Sequence, residues 1–133
     1  MDWAVGQTTS PVELLEHIAR ETVWVAEDAQ GIGGFLIAGN MDGTLYIDEL
    51  SVARSHQRRG VGRTLIEAVL ADAKLQGFPA ATLTTDRELP WNAPYYARLG
   101  FRILAPEQTP PNLASRLASQ PNAARRCAMW RDL

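Results

Sequence analysis

The chain has 133 residues, 46% of them apolar and 21% charged, with a formal net charge of −2; this fits one globular domain over residues 1–133 with one hydrophobic core, and the acidic balance argues against general nucleic-acid binding. The single Cys127 excludes an internal disulfide and a cysteine-based metal cluster. No metal site is expected, and with no basic start before an apolar run and no membrane-length apolar stretch, the expected location is the cytoplasm, away from the membrane.

Ser10, Pro11 and Glu13 make a good helix start, with Ser as N-cap, Pro at the first helical position and Glu closing a capping box. The helix is expected over residues 11–20, with Leu14, Leu15 and Ile18 inward and His17 on the surface. Residues 22–26 and 32–38 read as a hairpin around 28–31, followed by a turn at 40–43 and a third strand over 44–52. Val61, Leu65, Ile66, Val69, Leu70 and Ala73 recur at helical spacing, so a long helix over 60–76 packs one face on the sheet, with Gly77 as its C-cap. Strands are expected at 80–85, 101–104 and 125–131, the last carrying Cys127 as a small buried hydrophobe. A connection containing Pro106, Pro110 and Pro111 and a helix over 112–119 separate the last two. The pattern is a mixed α/β sheet around one central strand-loop-helix unit.

The run Leu50 to Gly62, LSVARSHQRRGVG, joins that strand to that helix. A strand turning through glycine into a helix presents backbone N–H groups at the positive end of the helix dipole, a ready site for phosphate or pyrophosphate. Gly60 and Gly62 stand where the chain must curl and where a side chain would keep a phosphate off the amides. Arg54, His56, Arg58, Arg59 and Arg63 cluster here, a local positive patch suited to a small polyanion. The P-loop pattern fails, because Gln57 stands at its first glycine and Arg63 at its lysine. The dinucleotide fingerprint fails at Leu65, where its third glycine belongs.

Gln57, Gly60 and Gly62 do match the Gln/Arg-x-x-Gly-x-Gly/Ala loop of the GNAT N-acetyltransferase superfamily. A second block, Trp91-Asn92-Ala93-Pro94-Tyr95-Tyr96-Ala97-Arg98-Leu99-Gly100-Phe101, resembles the superfamily's other signature, an Asn, an aromatic-Tyr pair and x-x-Leu-Gly-Phe. The resemblance covers roughly residues 22–133 and is strongest over 45–104. It implies an α/β (α+β) fold with a mixed, mostly antiparallel sheet and a central coenzyme site. Members begin with one more strand and helix; here Asp2-Trp3-Ala4-Val5 is either a stub of that strand or the element is absent.

The implied activity is transfer of an acetyl group from acetyl-CoA, the cosubstrate, to a primary amine of a small molecule or protein. The resemblance places the pyrophosphate on Gln57, Arg58, Arg59, Gly60, Val61, Gly62 and Arg63, and the pantetheine arm along Leu50, Ser51 and Val52. A backbone N–H near Leu50 would serve as a minimal oxyanion donor. Tyr96 is the expected general acid: with a free pKa near 10 it holds a proton that a departing thiolate can take. Tyr95, on another face, is expected to pack. Asn92 either bonds the pantetheine or only caps a helix, and Trp91 either lines the acceptor pocket or forms an apolar lid. The expected base is Glu49, acting through water. Its neighbour Asp48 is the alternative, since in a regular strand only one of the two faces the site, and a bulge would change which. The competing reading is a non-catalytic acyl-CoA-binding or sensor module, favoured by the short N-terminus. An uncovered sheet edge there also suggests a homodimer.

Overall fold

The computed structural model describes residues 4–9, 22–29, 31–53 and 60–133. The expected helix over residues 11–20 lies outside the described residues, as do Arg54, His56, Gln57, Arg58 and Arg59.

Seven strands form one sheet: β1 (Ala4–Thr9), β2 (Thr22–Asp28), β3 (Gly31–Met41), β4 (Thr44–Val52), β5 (Ala80–Asp86), β6 (Arg102–Ile103) and β7 (Arg126–Asp132). Three helices accompany them: α1 (Val61–Leu75), α2 (Ala93–Arg98) and α3 (Pro111–Ser119). The sheet order is β1-β2-β3-β4-β5-β7-β6. Every neighbouring pair is antiparallel except β4 with β5. The N-terminal segment expected as a stub is a full strand, in register with β2 from Ala4 opposite Glu27 to Thr9 opposite Thr22.

Local chemistry sets the turns. β3 and β4 meet through Asp42-Gly43, both at positive φ (52° and 87°), the two-residue hairpin geometry that favours an Asp-Gly pair. The Gly43 N–H donates to Asn40 Oδ1 at 2.8 Å. At the end of α1, Gln76 is the cap and Gly77 follows it at φ 91°. The Gly77 N–H bonds the Lys74 carbonyl and the Phe78 N–H bonds the Ala73 carbonyl, which closes the helix as a Schellman motif.

The sheet has two unequal covers. On one face, all six predicted apolar residues of α1 are buried, with Leu36, Ala38, Ile47, Leu83 and Met129 beneath them. Each large side chain buried there contributes about 1.5–3 kcal/mol. The opposite face carries a smaller cluster of Tyr46, Leu104, Leu113 and Ala128, flanked by Leu117 of α3 and by Trp130. Among the described residues no helix is long and apolar enough to cross a membrane.

Candidate active site

β4 and β5 pair only over Leu45–Ile47 and Ala81–Leu83, and then part. A bulge sits at the point of parting. Across the β3–β4 ladder Ala38 faces Ile47 but Ile37 faces Glu49, which leaves Asp48 as the extra residue. The bulge reverses side-chain parity: Ile47 before it and Leu50 and Val52 after it all pack in the α1-side core. Asp48 and Glu49 therefore both turn to the α3 face, so a regular strand's choice between them does not arise.

Their surroundings separate them instead. Asp48 accepts a hydrogen bond from Arg116 Nη2 of α3 at 2.7 Å, with the two side chains only 11% and 24% exposed. The Arg116 guanidinium also lies over the Tyr46 ring, 5.9 Å from its centroid. Asp48 is thus held in an ion pair, and Glu49 is the exposed carboxylate at the split.

A cavity of roughly 190 Å³ occupies the parting, lined from β4 by Asp48, Glu49 and Leu50, from β5 by Thr84, and beyond them by Asn92, Tyr96 and Arg126. Tyr96 belongs to the α1-side core, whereas Thr84, Glu49 and Arg126 lie on the α3 side, so the cavity joins the two faces of the sheet. Main-chain groups also reach it. Ala53 N–H donates to Gly33 at 2.8 Å, and alternation along the ladder then aims the Leu50 N–H away from β3, towards the gap.

The Leu-Gly-Phe block is what fixes Tyr96. Leu99 caps α2 and Gly100 follows at φ 93°. The Gly100 N–H bonds the Ala97 carbonyl and the Phe101 N–H bonds the Tyr96 carbonyl, both at 3.1 Å, a second Schellman closure. It brings the Phe101 ring edge-on to Tyr96 at 6.0 Å, while Tyr95 meets Tyr96 edge-on at 5.4 Å. Burial pushes the Tyr96 hydroxyl pKa up to about 12. Burial raises Tyr95 too, and Arg63 and Arg98 offset part of that rise. Asn92 caps α2 with its carbonyl, which accepts from Tyr96 N–H at 3.0 Å, but its side chain makes no cap bond. Of the two roles considered for Asn92, the side chain therefore does not make the helix cap. Trp91 is 66% exposed and does not line the cavity.

The two glycines at the start of α1 do different work. Gly60 stands at φ 78° with open space where a Cβ would be, so backbone conformation alone requires it. Gly62 is ordinary helix, and a Cβ there would sit 3.1 Å from Tyr95 Oη. The expectation that both lie in the curl is corrected to Gly60 alone. Val61, Gly62 and Arg63 carry first-turn N–H groups without intrahelical acceptors, and no acidic residue fills that turn. Arg63 is not free as expected: its Nε donates to Glu67 at 2.9 Å in an exposed pair of the weak, easily exchanged kind. Ser51 is exposed on the face away from α1.

The sequence reading missed Arg116, Arg126, Thr84 and Gln120. Thr84 Oγ1 donates to Gln120 Oε1 at 2.6 Å, and Arg126 Nη2 donates to the Thr84 carbonyl at 3.0 Å. These residues share no spacing; only the charged Arg125-Arg126 pair at the head of an apolar strand hinted at them.

A mixed sheet whose one parallel pair splits beside a glycine-started helix defines an acyltransferase of the GNAT class. Residues 19–103 match the acetyltransferase (GNAT) domain family, and the chain belongs to that family. The fold is similar to that of an IAA acetyltransferase from Bacillus cereus (TM-score 0.74, 18% identity, 99% of this chain and 100% of that one). It is similar also to a GNAT family acetyltransferase from Elizabethkingia anophelis with acetyl-CoA bound (TM-score 0.75, 18% identity, 98% of each chain). A Bacillus subtilis acetyltransferase in complex with CoA matches at TM-score 0.73 and 17% identity, over 99% of each chain.

Proposed function

We propose that this chain moves an acetyl group from acetyl-CoA to a primary amine of a small molecule or protein by direct attack. The observation that carries this is the single cavity at the β4–β5 split, where Tyr96 from one face of the sheet and Glu49 from the other line the same space. The coenzyme fits the residues present. The first turn of α1 offers open N–H groups free of acidic neighbours for a pyrophosphate, and the parted edge of β4 over Leu50, Ser51 and Val52 suits a pantetheine arm. The relatives solved with acetyl-CoA and CoA support the same donor. Bound there, the coenzyme supplies the activated acetyl thioester.

The chain's residues then have separable tasks. Glu49, through a water, takes a proton from the acceptor ammonium and leaves a neutral amine. The acceptor nitrogen forms the C–N bond as the C–S bond breaks, with the Leu50 N–H as a donor to the carbonyl oxygen. Tyr96 Oη delivers its proton to the departing sulfur while the new amide nitrogen sheds its second proton to water, and exchange with solvent then re-protonates Tyr96 and deprotonates Glu49. With a pKa of about 12 Tyr96 stays protonated throughout the physiological range. The same burial raises the basicity of a thiolate beside it, which keeps the transfer feasible. Asp48, already paired with Arg116, holds the bulge rather than serving as base.

The test is a thermal-unfolding scan with acetyl-CoA, using ATP and NAD as controls. Coenzyme at a hundred times its Kd adds about 2.7 kcal/mol, which shifts Tm by several degrees in a domain of this size. A shift with acetyl-CoA alone, followed by acetylation in an amine screen, supports the reading; no shift sinks it. The rival reading is a non-catalytic acyl-CoA-binding module, favoured by the short N-terminus, of which β1 supplies the first strand. β1 is itself the outer strand of the sheet, so the edge that suggests a homodimer lies on β1.

A further inference from the structure

Two guanidinium groups sit on the α3 face near the split, and they differ in one respect. Arg116 has a carboxylate, Asp48, at 2.7 Å. Arg126 has none among the described residues. Its Nη2 donates to the Thr84 carbonyl at 3.0 Å and to Thr84 Oγ1 at 3.4 Å, both neutral acceptors. Its Nε, like that of Arg116, is buried and bonds nothing among the described residues. Asp86 stands directly opposite Arg126 across the β5–β7 ladder, and the Arg126 charge helps to hold its carboxyl below the usual range, but its oxygens bond elsewhere: Oδ2 pairs with Arg125 at 3.1 Å, and Oδ1 accepts the N–H groups of Glu88 and Leu89 at 2.8 and 3.0 Å. Arg126 nevertheless lines the cavity with Glu49 and Tyr96.

A half-buried guanidinium that shares its neighbouring carboxylate with Arg125, touches no carboxylate oxygen and leaves its Nε unbonded is under-satisfied, and a native site keeps such a group where a ligand completes it. The ligand is not the coenzyme pyrophosphate, for Arg126 alternates along β7 with Cys127 and so faces the α3 side with Ala128 and Trp130, away from α1. On that side the partner available to it is the acceptor.

The geometry points to an acceptor amine that also carries a carboxylate, an amino acid or a close relative, with its carboxylate on Arg126 and its ammonium towards Glu49. Arg126 is then the residue that selects the acceptor. This rests on the acetyl-transfer reading of the same cavity. A planar guanidinium suits a carboxylate, which can take two of its donors at once. The site rejects the neutral or purely cationic analogue because that analogue leaves Arg126 unpaired.

The experiment compares matched acceptors on the unaltered protein: amino acids, their amides and their decarboxylated amines, each with acetyl-CoA. The expected result is a kcat/KM higher by about ten- to a hundredfold for the carboxylate-bearing member of each set. Arg126→Met then removes that preference and leaves the acetyl-CoA thermal shift in place, and Arg126→Lys restores part of it. Equal or faster turnover of the decarboxylated amines overturns the inference while leaving acetyl transfer standing. A uniform loss with all acceptors in Arg126→Met also overturns it, since Arg126 would then only position Glu49. Failure of acetyl-CoA to bind at all overturns the underlying reading and this inference with it.

Discussion

The two faces of the sheet are built by different means. The α1 face carries the larger core and the proposed coenzyme site, which is made of backbone: Gly60 at positive φ, the open N–H groups of α1, and the parted edge of β4. The α3 face carries a small apolar cluster and a polar set made of side chains, with Asp48 on Arg116, Thr84 on Gln120, and Glu49 and Arg126 at the cavity. On the proposed reading, one face would hold a constant cosubstrate by geometry. On the same reading, the other would offer charges for an acceptor to match.

The stability of the two faces is the first place to test the contrast. Leu65 and Leu113 are both essentially buried, one under α1 and one in the smaller cluster. Leu65→Ala should cost about 4 kcal/mol and Leu113→Ala about 2–3 kcal/mol, because the smaller cluster lies nearer solvent and can collapse around the gap. Urea midpoints measure both. Equal costs would mean that the α3 face is as tightly built as the other.

Tyr96 stands where the faces meet. Tyr96→Phe should lower kcat by about a hundredfold, equal to about 2.7 kcal/mol of barrier, with the acetyl-CoA thermal shift intact. Unchanged turnover would reassign Tyr96 to packing. The same residue ties stability to alkaline pH. Its pKa rises from 10.0 to about 12 on folding, so above pH 10 the unfolded chain gives up this proton before the folded one does. The stabilisation is complete below pH 10 and is lost as pH climbs towards 12, by about 1.4 kcal/mol per unit. Tyr96→Phe should fall less in urea midpoint between pH 9 and pH 11 than the unaltered protein.

What the sequence made legible follows the same division. Gly60 and the Leu-Gly-Phe block are local, because each encodes a backbone conformation within a few residues. The second proves to be a Schellman turn that seats Phe101 against Tyr96. The six α1 core positions were legible for the same reason, since a helix writes its buried face at fixed spacing. The acceptor side was not. Glu49, Thr84, Gln120 and Arg126 come from separate elements and meet only after β5 and β7 are laid beside β4. The bulge at Asp48 was equally hidden, because nothing in Tyr46-Ile47-Asp48-Glu49-Leu50 marks which residue is extra until β3 fixes the register.

The bulge gives the next prediction. Asp48→Asn strips the counter-ion from Arg116, a pair that is mostly but not wholly buried. The expected loss is about 2 kcal/mol, less than for a fully buried pair because water still reaches Arg116. In the folded fraction, kcat should change less than in Glu49→Gln. A larger fall in Asp48→Asn would make Asp48 the base and turn the assignment around.

The smallest effect separates the two glycines. Gly60→Ala forces a side chain into left-handed backbone and should cost about 1 kcal/mol whatever surrounds it. Gly62→Ala gains helix propensity, up to about 1 kcal/mol, but brings a Cβ to 3.1 Å from Tyr95 Oη, with Leu50 and Val52 at ordinary contact. The two terms oppose each other, so the single variant should stay within about 0.5 kcal/mol of the unaltered protein. In a Tyr95→Phe background the close oxygen is gone and the propensity gain should emerge, as a coupling of about 0.5–1 kcal/mol in a double-mutant cycle. That coupling would show that Gly62 is glycine because a tyrosine from α2 leans on α1. Its absence would leave the helix N-terminus and the second motif independent of each other, joined only through the sheet.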